Sequence, residues 1–195
     1  AMPTATWIPS GTGTASAALS SGGTTPSGAS TTQTLEWDNS SWTTGGALST
    51  GRRYFAGFGS QTDSIAPGGT TAPGAITAVT EKYNGSSWTS GNSMVSNLRA
   101  HATSAQSSTS VGLNMNGTID DSNSTNQTFE YDGTSWRTNA NSAATRLEAF
   151  GIGDSTSAHV IGGISPWPSP GAVVTSTEVF SPETTALNVK TLTQS

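Results

Sequence analysis

The sequence predicts an all-β protein, a β-propeller of about four blades that are each a four-stranded antiparallel sheet. The first observation is a pattern that occurs three times, as "EWDNSSWTTG" (36–45), "EKYNGSSWTSG" (81–91) and "EYDGTSWRTN" (130–139). The second is that its spacing is 46 and then 48 residues. Repeats of this length are typical of radial or solenoid arrays, because one unit cannot bury its own apolar face.

The composition favours thin β layers over one thick core. Apolar residues make up 32% and charged residues 10% of the 195 positions, both below ordinary globular usage. Six Trp, five Phe and three Tyr are nevertheless too many, and too regularly placed, for a disordered chain. We therefore expect a single domain over 1–195, in approximate units 1–50, 51–97, 98–144 and 145–195.

Charge and cysteine content exclude several classes of function. The net charge of −5 repels nucleic acid phosphates and anionic membrane surfaces, so we expect neither partner. With no Cys, the chain can hold no disulfide and no thiolate metal site, and we expect no cofactor. The N-terminus has no signal-peptide pattern, and no apolar run approaches the ~18 residues of a membrane span.

Each unit divides into strands that we name a, b, c and d. Strand c ends on the repeated aromatic and strand d carries the Trp five residues later; the aromatics are Trp37, Tyr83, Tyr131 and Phe180. Strand b ends near a Gly-Gly pair at 22–23, 68–69 and 162–163, with Met115-Asn116 in the third unit. Strand a is predicted at 53–59, 99–105 and 146–152, opening on an Arg. Asn84-Gly85 and Asp132-Gly133 predict type I′ turns between c and d.

The two ends of the chain raise the question of how the ring closes. Only 15 residues separate Trp7 from Gly22, whereas 26 or 27 separate the Trp of each later unit from the pair that follows it, and this predicts that the first unit lacks a normal strand a. The N-terminal "TATWIPS" or the C-terminal "ALNVKTL" is expected to supply that strand and to close four blades within one chain. The alternative is a partial ring completed by another subunit, in a homo-oligomer.

These motifs resemble the kelch repeat of galactose oxidase/kelch-type β-propellers. The phrases "TEKYNGSSWTSG" and "TFEYDGTSW", the Arg that opens strand a and the ending "NVKTLTQS" are similar to kelch-like repeat proteins of marine bacteriophages, including those of cyanobacteria. The resemblance implies a virion protein on the capsid surface, tail or fibre, made in the bacterial host cytoplasm. The copper site of galactose oxidase needs a Cys, which this chain lacks.

The b–c loops are the predicted binding face. They differ between copies (24–31, 70–77, 116–126 and 164–174), whereas the c–d turns are nearly identical. Arg53, Arg99 and Arg146 open strand a at this face and could form a ring of guanidinium groups for ligand carboxylates or sulfates. The alternative is that each Arg pairs with a Glu of its blade or caps loop carbonyls.

Two of these loops carry further candidates. Trp167, held between two prolines, could stack on a sugar ring or on a partner protein, or could instead plug the channel. Asp121, Asn123 and Thr125 place oxygen ligands at alternate positions and form a weak Ca²⁺ candidate. This loop lacks the Gly and the distal Glu of an EF-hand.

Signals for enzymatic activity are few. No Ser stands in a nucleophile elbow, and His101 and His159 lack a third ligand for a metal. Glu148, Asp154 and the acidic loop 120–126 could meet in space, which leaves a paired-carboxylate glycosidase open. We expect a non-enzymatic protein that binds host surface glycan or a neighbouring virion protein. The alternatives are a purely structural decoration module and a glycan-cleaving enzyme.

Overall fold

The computed structural model describes residues 1–105, 111–120, 122–165, 172–180 and 189–192. In these residues the protein consists of four four-stranded antiparallel sheets, arranged as a four-blade β-propeller. The predicted fold class is therefore confirmed. No helix in the described part of the chain is long and apolar enough to span a membrane.

Each blade is built from one continuous stretch of sequence, with its strands in order from the channel outward. Blade 1 contains β1 (Ser10–Gly13), β2 (Ala18–Ser21), β3 (Thr34–Trp37) and β4 (Trp42–Thr44). Blade 2 contains β6 (Phe58–Gly59), β7 (Ser64–Pro67), β9 (Thr80–Tyr83) and β10 (Trp88–Ser90). Blade 3 contains β11 (Ala102–Thr103), β12 (Gly112–Met115), β13 (Thr128–Tyr131) and β14 (Trp136–Asn139). Blade 4 contains β15 (Phe150–Gly153), β16 (Ala158–Ile161), β19 (Thr177–Phe180) and β20 (Val189–Leu192).

One short strand pair joins a linker to a b–c loop, and a second lies within a b–c loop. In blade 2, β5 (Arg52–Arg53) pairs with β8 (Thr70–Thr71), and in blade 4, β17 (Ile164–Ser165) pairs with β18 (Ala172–Val173). Arg53 therefore lies in the linker before the inner strand β6. The predicted strand a at 53–59 is wrong in this respect, because only two residues of its Gly-rich stretch belong to the inner ladder.

Blade 1 is a complete blade, so the prediction that it lacks strand a is wrong. Trp7 pairs with Thr24 in the same way that Arg53 pairs with Thr70, so Trp7 occupies the Arg53 position of the repeat. The 15 residues from Trp7 to Gly22 are thus the normal length. The C-terminal strand β20 pairs with β19 and completes blade 4.

The c–d hairpins bring the repeated aromatics together as cross-strand neighbours. Ring centroids lie 4.9 Å apart for Tyr83–Trp88 and 5.0 Å apart for Tyr131–Trp136. The turn differs from the predicted type I′, because type I′ requires positive φ at both Asn84 and Gly85, and of these two only Gly85 has it. The Asn84 side chain shapes the turn, since its Oδ1 accepts the N–H groups of Ser86 (3.0 Å) and Ser87 (2.9 Å).

The aromatic pair of each of blades 2 and 3 packs on the blade before it. Tyr83 and Trp88 join a core with Leu19 of blade 1, and Tyr131 and Trp136 join one with Phe58 and Ile65 of blade 2. Each Trp also donates its indole N–H backward, Trp88 to Thr34 Oγ1 (2.8 Å) and Trp136 to Thr80 Oγ1 (2.9 Å). Phe180 takes the same place in blade 4 and packs with Leu113 and Met115 of blade 3.

The Gly-Gly pairs hold the linker to the following blade. Gly22 and Gly23 have φ of 63° and 98°, and Gly23 N–H donates to Arg52 O at 2.8 Å. The corresponding pair in blade 3 is Asn116-Gly117, with φ of 61° and 103°, so the predicted Met115-Asn116 is displaced by one residue. Asn is among the few non-glycine residues that readily adopt this left-handed conformation.

Candidate functional site

The four linkers converge on a cavity at the mouth of the central channel, on the same side as the b–c loops. The cavity has a volume of about 600 Å³, within the ~300–1,000 Å³ typical of ligand sites. Every blade contributes to its lining, which consists of Trp7, Ile8, Pro9, Tyr54, Phe55, Ala100, His101, Glu148, Ala149 and Phe150.

One repeat position forms the rim of this cavity and has a strained backbone in all four copies. Ile8, Tyr54, Ala100 and Glu148 have φ of 50°, 56°, 52° and 55°. Residues other than Gly rarely adopt such positive φ angles, and a β-branched residue such as Ile8 does so least of all. Hydrogen bonds from Ala100 N to Tyr54 O (2.8 Å) and from Glu148 N to Ala100 O (3.0 Å) help to hold the conformation. Strain of this kind is concentrated at functional sites.

Two aromatic side chains at the cavity are exposed to solvent. Trp7 is 67% exposed and Phe150 64%, whereas most large apolar residues of the chain are buried. The Trp7 backbone is fixed by reciprocal 2.8 Å hydrogen bonds with Thr24 of the first b–c loop. The cavity therefore presents apolar ring surfaces on a rigid scaffold.

A negative group lies on the rim, and positive groups lie beside it, next to Tyr54. The guanidinium carbons of Arg53 and Arg99 lie 5.8 Å and 5.3 Å from the centroid of the Tyr54 ring, within the range of cation–π attraction. Arg53 also donates to Gly28 O at 2.9 Å, which ties it to a b–c loop. Glu148 is exposed and is the one carboxylate among the described residues that line the cavity.

Arg146 does not join Arg53 and Arg99, so the predicted ring of three guanidinium groups does not form in the described structure. Its backbone N–H bonds to Thr125 and its side chain is fully buried. There it donates to Glu178 Oε1 (2.8 Å) and to the carbonyl of Gly162 (2.8 Å). Leu147 occupies the repeat position of Arg53 and Arg99, because it pairs with Ile164 as they pair with Thr70 and Thr118.

Arg52 and Arg146 belong to a second repeat position, where buried ion pairs hold the linkers in place. Arg52 pairs with Glu81 and donates to Val79 O at 2.8 Å, and burial lowers the pKa of Arg52 despite the opposing effect of Glu81. In blade 3 the same two positions are Leu98 and Phe129, which pack together in the core. Sequence spacing alone did not separate the two positions, since Arg52 and Arg53 are adjacent.

His101 lies below the rim, at the wall of the cavity. It is buried, and this burial lowers its pKa to about 4, although a hydrogen bond with the Ala56 backbone acts in the opposite direction. Its Nδ1 atom has no hydrogen-bond partner. His101 is therefore a neutral polar group beside an aromatic cavity at neutral pH.

The predicted site residues Asn123 and Thr125 do not line the cavity. Trp167 and Asp121 fall outside the described residues. Asn123 and Thr125 stabilise their own loop, since Thr118 Oγ1 donates to Asn123 O (2.7 Å) and Thr125 Oγ1 accepts the N–H of Gln127 (3.1 Å). No group of three or more His, Asp or Glu that could hold a metal ion occurs in the described ranges. The calcium site stays a prediction.

The structure separates the two carboxylates that could have formed a hydrolytic pair. Glu148 precedes β15 at the cavity, whereas Asp154 follows β15 at its other end. The Thr156 hydroxyl donates to Asp154 Oδ1 at 2.6 Å, and so do the N–H groups of Thr156 (2.7 Å) and Ser157 (2.9 Å); together they lower the pKa of Asp154.

Sequence reasoning missed Trp7, Tyr54 and Phe150. The available signal was the residue pair at the start of each linker, Trp7-Ile8, Arg53-Tyr54, Arg99-Ala100 and Leu147-Glu148, which recurs with the repeat. No family model matches the sequence, and no curated protein is significantly similar to it.

Proposed function

We propose that this protein is a non-enzymatic binding module whose central cavity accepts a glycan. The observation that carries the proposal is the pair of exposed aromatic side chains, Trp7 and Phe150, on a rigid four-blade rim. Exposed apolar residues that gather at one cavity, unlike single scattered ones, mark ligand-binding grooves.

The chemistry of the lining suits a sugar. A pyranose ring has an apolar C–H face that packs on aromatic rings, and hydroxyl groups that need hydrogen-bond acceptors and donors. Glu148 offers an acceptor, and Arg53 and Arg99 supply positive charge near Tyr54 for acidic substituents such as carboxylate or sulfate.

Binding accounts for the described cavity better than cleavage does. Glycoside hydrolysis generally uses two carboxyl groups that flank the scissile bond. The described lining holds Glu148 alone, and Asp154 lies at the other end of β15. The resemblance to kelch-like phage proteins supports a place on a virion, where such a module would bind host surface glycan.

A glycan array tests the proposal. We expect the purified protein to bind a subset of bacterial surface polysaccharides, and Trp7→Ala and Phe150→Ala each to weaken that binding at least tenfold. The matched control is Val95→Ala, which truncates an exposed side chain (56%) outside the cavity.

Two results would contradict the proposal. Glycan binding that survives both aromatic substitutions would place the site elsewhere. Folded protein that binds no glycan would instead favour a decoration module that contacts neighbouring virion proteins.

A further inference from the structure

The three junctions between consecutive blades are built alike and are well packed. Inner strands make contact across them, with Gly57 N donating to Ser10 Oγ (2.7 Å) and the hydroxyls of Thr12 and Ser64 3.0 Å apart between blades 1 and 2. Between blades 2 and 3, Thr103 Oγ1 donates to Gly57 O at 3.0 Å. The aromatic pair of the following blade covers the outer part of these two junctions, and Phe180 does so between blades 3 and 4.

The junction between blade 4 and blade 1 lacks these contacts. No hydrogen bond or ion pair joins the described residues of blade 1 to those of blade 4. A Cβ atom on Gly57 would lie 3.0 Å from Ser10 Oγ, whereas Gly11, at the same repeat position in blade 1, has no such neighbour within 4 Å. The described residues of these two faces are therefore not packed together as those of the other junctions are.

Both halves of the missing junction are present on the surface. Blade 1 offers the Trp37–Trp42 pair, half-buried with ring centroids 5.5 Å apart, at the positions of Tyr83–Trp88 and Tyr131–Trp136. Within the described chain the Trp42 indole N–H has no acceptor, unlike those of Trp88 and Trp136. Blade 4 offers Ile152 (40% exposed) and Ile161 (38% exposed).

We infer that the Trp37–Trp42 face of blade 1 binds the Ile152–Ile161 face of blade 4 in a second copy of this chain. These two faces occupy the same repeat positions as the faces that contact each other at the three other junctions. They are therefore expected to be complementary. A pair of copies that exchanges both faces has two-fold symmetry and leaves neither face exposed. Phe150 pairs with Ile161 and lies on the same face of β15 as Ile152, so this face shares one residue with the proposed glycan site, whereas Trp7 belongs to the glycan site alone.

The mass in solution is the first test. We expect light scattering with size-exclusion chromatography to give the mass of two chains at micromolar concentration. Ile152→Ser should shift the mass to one chain, while the control Val95→Ser, at another exposed aliphatic position, should leave it at two. A wild-type mass of one chain at every concentration would overturn the inference.

Engineered cysteines locate the contact, since the chain has no native Cys. Ala18 and Ile152 correspond in the repeat to Ser64 and Thr12, whose hydroxyls touch between blades 2 and 1. We expect a mixture of Ala18→Cys and Ile152→Cys single variants to form a covalent dimer with oxidised glutathione. Thr12→Cys/Ser64→Cys is the positive control for a disulfide within one chain.

The double variant Ala18→Cys/Ile152→Cys separates the two ways of satisfying these faces. A disulfide between chains supports the inference. A disulfide within a monomer would show that blade 4 closes on blade 1 of its own chain, and would overturn it.

Discussion

The buried ion pair Arg52–Glu81 has an apolar counterpart in the same protein. Blade 3 carries Leu98 and Phe129 at these positions, and the fold is kept. Desolvation of two charges offsets much of their attraction, so a buried pair is replaceable by apolar residues, but loss of one partner leaves an uncompensated charge.

We therefore expect Arg52→Leu alone to lower the free energy of unfolding by about 3–5 kcal/mol. The double variant Arg52→Leu/Glu81→Phe should lie within about 1.5 kcal/mol of the wild type. Urea denaturation of both single variants and the double variant measures the coupling. Equal losses in the Arg52→Leu variant and the double variant would contradict this account.

His101 makes stability depend on pH in a defined window. Its pKa is about 4 in the folded protein, below the ordinary 6.5, so between these values the unfolded chain binds more protons. We expect stability to be full above pH 6.5 and to fall by about 3 kcal/mol as pH drops to 4. Thermal unfolding of His101→Leu across this range should show a flatter profile.

Exposed aspartates change the stability only at lower pH, so they do not affect its pH dependence between 4 and 6.5. N–H groups of Ser41 and Ser40 lower the pKa of Asp38 to about 2, from an ordinary 3.8. Its contribution is present above pH 3.8 and is lost as pH falls through about 2. A slope above pH 4 that persists in His101→Leu would show that another group titrates there.

At the scale of the element, the c–d hairpin was the most predictable unit of the chain. Its aromatic pair and spacing recur, and cross-strand pairing follows from a short turn between two strands. The turn type was not predictable from Asn84-Gly85, because the Asn84 side chain, rather than a second positive φ, shapes it. Strand a was placed too early because Arg53 belongs to a linker that pairs with a b–c loop.

The candidate site was harder to predict for a related reason. Arg146 aligned with Arg99 by spacing, yet the β-bridges place it one position earlier in the repeat, where it is buried. Trp7 was treated as part of a chain end, although its pairing with Thr24 makes it an ordinary linker residue. In both cases the β-bridge partner identifies the repeat position of the residue, and sequence spacing does not show that partner.

The indole hydrogen bonds between blades give a matched comparison. Trp88 donates to the buried Thr34, whereas Trp42, at the same repeat position, has no acceptor among the described residues. We expect Trp88→Phe to lower the free energy of unfolding by about 1–2 kcal/mol more than Trp42→Phe does, because it leaves the Thr34 hydroxyl without its donor. Urea denaturation of the two variants, with Ile152→Ser as a monomeric background, makes the comparison. Equal losses would mean that the indole bond contributes little.

At the scale of the whole molecule, the described residues of blades 2 and 3 pack on neighbours on both sides, whereas those of blades 1 and 4 pack on one neighbour each. In the Ile152→Ser variant we expect amides of β7 and β12 to exchange with deuterium more slowly than those of β2 and β16. Hydrogen exchange followed by mass spectrometry measures these differences. Uniform protection would indicate that all four junctions are equally strong.

The continuous origin of each blade has a consequence for folding. No strand from a distant part of the chain is needed to finish a blade, so the search for native pairs stays local and its entropy cost stays small. Stability then approximates a sum of blade terms and nearest-neighbour terms, as in other repeat proteins. Unfolding of a single chain would accordingly begin at blade 1 or blade 4. Partly unfolded forms would keep blades 2 and 3 intact.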